Sequence, residues 1–95
     1  MKKFTISGKV CVWPGEVGWH FVYVDKDTAL KISKYKKSHS RGFVKIRATL
    51  GKTSWDTSLF PYKREDTYLL ALKKATRQKE SVFDGDMVKV KIQLL

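Results

Sequence analysis

The stretch "FVKIRATLGKTSWDTSLFP", Phe43 to Pro61, reads as two strands and the turn between them. Val44, Ile46, Ala48 and Leu50 alternate with Lys45, Arg47 and Thr49, a period of two that gives a strand one apolar and one cationic face. Gly51-Lys52 then supplies a two-residue link with glycine first, the composition of a type II′ hairpin turn. On the return, Trp55, Thr57 and Leu59 point one way and Ser54, Asp56, Ser58 and Phe60 the other. Pro61 is expected to end this ladder, because it has no N–H to donate.

The same period recurs on both sides of the hairpin. Phe4, Ile6, Gly8, Val10 and Val12 alternate with Thr5, Ser7, Lys9 and Cys11. "WPGEVG" (Trp13 to Gly18) interrupts with proline and glycines, and "WHFVYV" (Trp19 to Val24) resumes, so the two runs read as a hairpin with a longer loop. "TYLLAL" (Thr67 to Leu72) is a fifth strand. Val88, Val90, Ile92 and Leu94, set against Lys89, Lys91 and Gln93, make a sixth. Two segments change the period. In "DKDTALKISKYKK", Asp25 or Asp27 can cap a helix whose Ala29, Ile32 and Tyr35 fall on one side. A second short helix fits Lys73 to Lys79, followed by a turn at Asp84 to Asp86. About six strands at this spacing with two short capping helices predict a mainly β protein, a small closed or half-closed barrel rather than a βαβ sheet.

With 95 residues and no repeat, linker or low-complexity segment, residues 1–95 are expected to form one domain. A chain of this size buries roughly 60–65% of the surface that it exposes when unfolded. Twenty Lys and Arg against nine Asp and Glu give a net charge of +11. That surplus attracts polyanions, and it equally serves to keep a surface solvated. Cys11 is the single cysteine, which excludes an internal disulfide or a zinc site built on paired cysteines and fits a reducing cytoplasm. "MKKFTISGKV" lacks the apolar stretch of a signal peptide, and no run approaches the roughly 18 apolar residues of a membrane span. The expectation is a soluble, cytoplasmic protein.

No reaction site assembles from the sequence. The G-x-S-x-G elbow, the G-x-G-x-x-G fingerprint and the Walker loop are all missing. Ser54, Asp56 and Ser58 share one strand face, with His20 and His39 elsewhere, and such residues more often bind neighbouring backbone or water than form a triad. His20 reads as a strand histidine that is hydrogen-bonded or solvated, and scattered carboxylates beside it do not make a metal site. Trp13, Trp19 and Trp55 are expected to fill the barrel rather than stack on a ligand. No catalytic residue, metal ligand or cofactor is assigned. The densest cationic segment is Lys31, Lys34, Lys36, Lys37, Arg41, Lys45 and Arg47, with no acidic residue from 31 to 47 and with Tyr35, His39 and Phe43 interleaved. Cations with aromatics between them suit phosphate tracking and stacking. Lys73, Lys74, Arg77 and Lys79 form a second group, tempered by Glu80, Asp84 and Asp86. Readers of base edges, which sequence specificity requires, are not recognisable.

The ordered set "GWHFVYV", "RGFVKIRATLG", "SWDTSLFP", "YLLALKKATR" and "GDMVKVKI" resembles an uncharacterised prokaryotic family, the domain of unknown function nineteen-oh-five, over nearly the whole chain. The resemblance implies a double-split β-barrel with helical caps. It also implies an architecture related to AbrB-type transition regulators and MazE-type antitoxins, which bind DNA as dimers. The family itself has no assigned activity. Leu72 to Ile92 is the part most similar to the AbrB type, and it implies that Gly85 and Asp86 form the turn into the last strand and that Arg77 contacts an anion. Leu72 and Lys73 stand where that motif has a proline before its helix. The expected function is a non-enzymatic module that binds nucleic acid or another polyanion through the Lys31 to Arg47 segment. It is expected to be a monomer, because about six strands close a small barrel alone. The alternative is a small-molecule binder or enzyme with a pocket at the barrel mouth formed by Asp56, Ser58 and Arg77.

Overall fold

The computed structural model describes residues 3–14, 18–35 and 42–95. Its elements follow in chain order as β1 (Lys3–Lys9), β2 (Cys11–Val12), β3 (His20–Tyr23), α1 (Lys26–Tyr35), β4 (Val44–Leu50), β5 (Thr53–Tyr62), β6 (Thr67–Ala71), α2 (Lys74–Lys79) and β7 (Met87–Leu94). A 3-10 turn over Lys63–Glu65 joins β5 to β6. The central hairpin forms as its sequence predicts. Gly51 has φ 61° and Lys52 is not among the positive-φ residues, which is the signature of a II′ turn, and Ala48 stands opposite Trp55.

The described strands number seven rather than six, because the first alternating run divides at Val10. Residues 3–9 pair with β7 and residues 11–12 pair with β3. Between them the Val10 N–H donates to the Asp86 carbonyl and the Val10 carbonyl accepts from the Gly85 N–H, at 2.8 and 2.9 Å. The order across the sheet is β1-β7-β4-β5-β6-β3-β2, so both ends of the ladder are consecutive pieces of one stretch of chain and the sheet returns on itself. β5 makes the second such corner. Its residues 53–59 pair with β4 and residues 60–62 pair with β6. Two strands are thus each split between two sheets, and the result is a nearly closed, double-split barrel.

This corner corrects the expectation at Pro61. The strand does not stop there but continues to Tyr62, with Pro61 opposite Tyr68. The β4 ladder has already ended at Leu59, so that edge of β5 asks for no donor when proline arrives.

Inward-facing residues of both sheets meet in one core, in which Ile6, Val22, Ile46, Leu59, Leu70 and Val90 are fully buried. α1 packs against β6 and adds Ala29 and Ile32 to this core. Asp25 caps that helix by accepting from the Thr28 N–H at 3.0 Å and from the Thr28 hydroxyl at 2.9 Å. The buried Thr67 hydroxyl donates to the Val24 carbonyl and so ties the start of β6 to the end of β3. Gly85 (φ 89°) and the Asp86 carboxylate, which accepts from the Phe83 N–H at 2.8 Å, shape the turn into β7.

The tryptophans are a second correction. Trp55 packs against the core from β5, but Trp13 and Trp19 lie on the outer side of the barrel. Trp19, Phe21 and Tyr23 share one face of the β3 segment, opposite Val22 and Val24, and the narrow interior is already filled by aliphatic side chains. Among the described residues no helix is long and apolar enough to cross a membrane.

Candidate functional site

The outer surface of the barrel divides into two chemically different faces. On β1, β7 and β4 the outward lysines stand across the ladders from uncharged side chains. Lys3 stands opposite Gln93, and Gln93 opposite Arg47; Thr5 stands opposite Lys91, and Lys91 opposite Thr49; Ser7 stands opposite Lys89, and Lys9 opposite Met87. Lys45 faces Ser58 across the β4–β5 ladder. Each of these lysines is exposed and has an uncharged residue directly across from it. Like charges directly opposite destabilise a sheet, so this placement gathers positive charge without that cost. Lys89 and Lys91 are about 7 Å apart along their strand. Lys3, Thr5, Arg47, Thr49, Lys91 and Gln93 border a shallow recess at the middle of the face.

Arg47 differs from its neighbours. Its Nε donates to Asp56 Oδ1 at 2.7 Å and its terminal nitrogen to Oδ2 at 3.3 Å. The hydrogen bond and charge of Arg47 hold the Asp56 carboxyl below its ordinary range, and the same contact raises the guanidinium pKa. The pair bounds the cationic face on the β5 side and compensates the Arg47 charge.

The residues expected from sequence are distributed over several places. Lys45 and Arg47 lie on the cationic face of β4, whereas Lys31 and Lys34 are exposed on α1. Lys36, Lys37, His39 and Arg41 lie outside the described residues, as does the side chain of Tyr35. Asp56 and Ser58 are neighbours on the outer side of β5, with Asp56 engaged by Arg47. Arg77 has other partners. From α2 its Nε donates to the Leu72 carbonyl at 3.2 Å, and its guanidinium lies 3.5 Å from the His20 Nε2. His20 Nδ1 in turn donates to the Gly18 carbonyl at 2.7 Å, the hydrogen-bonded strand histidine its sequence suggests. Among the described residues no group of three or more His, Cys, Asp or Glu is placed to hold a metal ion.

Sequence reasoning missed Lys3, Lys9, Lys89 and Lys91 as members of one surface. The alternation that turns them outward is visible in the sequence, but the adjacency of β1, β7 and β4 is not. It also missed the second face. Ring centroids run from Phe43 to Phe60 (5.2 Å), Phe60 to Trp19 (5.7 Å), Trp19 to Phe21 (5.4 Å) and Phe21 to Tyr23 (5.2 Å). Tyr62 closes the series at 5.9 Å from both Tyr23 and Trp13. The intervening strand β6 contributes Leu69 and Ala71, over which rings from β3 reach those of β5. Trp13, Tyr23 and Phe43 keep 38, 37 and 45% of their surface exposed.

None of the curated proteins compared matches the chain. Residues 7–92 match the family described as Domain of unknown function (DUF1905), a span that includes the aromatic face and both corners of the barrel but not Lys3, Thr5 and Gln93 of the cationic face. The chain belongs to the DUF1905 family.

Proposed function

We propose that this chain is a non-enzymatic binding module for nucleic acid or another polyanion, with the outer face of β1, β7 and β4 as its contact surface. One observation carries the reading. Lys3, Lys9, Lys45, Lys89 and Lys91 project from one continuous sheet with hydroxyl and amide side chains between them, and the Asp56 carboxylate at its β5 border is paired with Arg47. Lysines neutralise phosphates and release their condensed counterions, while Thr5 and Ser7 offer hydrogen bonds to phosphate oxygens. Such contacts position a backbone without reading sequence. The surplus of +11 charges steers a polyanion toward this face from a distance.

The reading places the chain in the cytoplasm, where nucleic acid is abundant and the single Cys11 stays reduced. It also has the chain acting as a monomer. Val90 and Ile92 of β7 are already buried between β1 and β4 of the same barrel and need no partner's strand. Fluorescence anisotropy with labelled duplex DNA over a range of salt concentrations tests the proposal. Contact by five lysines gives a log–log slope of about −4 to −5. Absence of binding at the lowest salt, or affinity indifferent to salt, contradicts it.

A further inference from the structure

We infer that the polyanion is single-stranded nucleic acid, whose phosphates lie on the lysine face while its unpaired bases stack on the aromatic face beside it. The inference rests on the polyanion reading above and adds to it the state of the strand. The two faces are contiguous. Lys45 lies two residues beyond Phe43 on the same side of the chain, and it stands opposite Ser58, two residues before Phe60 on β5. A ligand that follows the lysines across β4 therefore meets Phe43 and Phe60 next, and then the rings of Trp19 and Phe21.

The chemistry of the occupant follows from what the two faces ask for together. The aromatic face is built from rings and the aliphatic Leu69 and Ala71, and half-exposed rings gathered this way mark a contact surface rather than scattered apolar residues. A second copy of the chain would bring another +11 charges and another Lys45 to the same seam, so charge opposes that occupant. The complement of this surface is a polymer that is anionic along its backbone and presents flat apolar rings. A duplex hides its rings in its own stack and offers only phosphates and groove edges, whereas a single strand offers both. Exposed Trp13, Tyr23 and Phe43 are the rings placed to accept bases; the buried Phe21 packs against Trp13 and Tyr23, and Phe60 against Phe43, which holds the platform in position.

The full-length chain is titrated at one low salt concentration with an oligothymidine of about 12 nucleotides, a duplex of the same length and inorganic polyphosphate, read by anisotropy and by tryptophan fluorescence. The single strand is expected to bind at least about ten-fold more tightly than the duplex and to quench the tryptophans. Phe43→Ala and Trp13→Ala are each expected to weaken the single strand by about five-fold or more and to leave polyphosphate unchanged. Phe43 is half exposed and its ring contact is with Phe60, so its removal does not threaten the fold, and the quenching is read on the parent protein without any variant. Equal affinity for all three polymers, or ring variants that bind the single strand like the parent, overturns the inference and leaves the polyanion reading standing. Failure of all three to bind removes both. A mass of twice 11.0 kDa that Trp13→Ala returns to the single value assigns the aromatic face to self-association and likewise overturns it.

Discussion

Substituting Gly8 by alanine tests whether the barrel is closed. A Cβ built on Gly8 lies 2.6 Å from Val22 Cγ1 and 3.2 Å from the Tyr23 carbonyl oxygen, so here β1 passes directly against β3. Val22 is completely buried, and a β-branched side chain in a filled core has no free rotamer to take. The other neighbour is backbone. Overpacking of this kind costs about 1–3 kcal/mol. The narrower unfolded ensemble of alanine returns about 0.4–1 kcal/mol, and because the clash is with a buried β-branched side chain and backbone its cost lies in the upper part of the overpacking range, leaving a net loss of about 1–2 kcal/mol. For a domain of this size each kcal/mol lowers Tm by about 4–8 °C, so Gly8→Ala is expected to melt about 5–15 °C below the parent by circular dichroism. Val22→Ala loses packing alone, but in the Gly8→Ala background the new methyl occupies the vacated space. The double variant should therefore be more stable than the sum of the singles by at least about 0.5 kcal/mol. A Gly8→Ala protein as stable as the parent, or strictly additive losses, would show that β1 is not held against β3.

Three further predictions concern particular contacts. Because the Arg47 hydrogen bond holds the Asp56 carboxyl below its unfolded value, the stability that the pair contributes is present above the ordinary carboxylate range and is lost as pH falls through the folded midpoint. An NMR titration should find Asp56 titrating below a free aspartate and moving upward in Arg47→Ala; an unmoved midpoint contradicts the assignment. Thr67→Val strands the buried Val24 carbonyl and should cost about 1–3 kcal/mol in urea unfolding, with Thr67→Ser closer to the parent; equal stability of the valine variant would place that hydroxyl elsewhere. Ile46→Ala, at a fully buried position, should cost about 2–5 kcal/mol, while Lys45→Ala next to it on the outer face stays within about 0.5 kcal/mol, and the reverse order would mean the register is shifted by one residue.

The parts of the fold that local chemistry dictates were legible in the chain. Gly51 announces its turn, and the period of two in residues 44–50 and 88–94 assigns inward and outward faces that the structure keeps. What depends on distant partners was not. Nothing near Val10 tells that its two sides pair with different strands, because the break is made by backbone bonds to Gly85 and Asp86. Pro61 reads locally as a terminator and is tolerated because β4 has already left that edge of β5. The outward placement of Trp19 was present in its parity with Phe21 and Tyr23, but the usual weight of tryptophan in cores pointed the other way. The site shows the same division. A run of cations within 31–47 is visible by eye, whereas Lys3, Lys45 and Lys91 become neighbours only through the order β1-β7-β4.

Two double substitutions, compared in the salt dependence of duplex DNA binding, decide whether the β1–β7–β4 face is the contact surface. Lys89→Gln with Lys91→Gln removes two charges from the middle strand of the proposed face, and Lys31→Gln with Lys34→Gln removes two from α1. Net charge is the same in both, so long-range steering is matched and only local contact differs. The β7 variant is expected to shorten the log–log slope by about two and to weaken binding at every salt concentration, while the α1 variant retains the parent's slope. A β7 variant with the parent's slope beside an α1 variant that loses two would contradict the assignment of the β1–β7–β4 face.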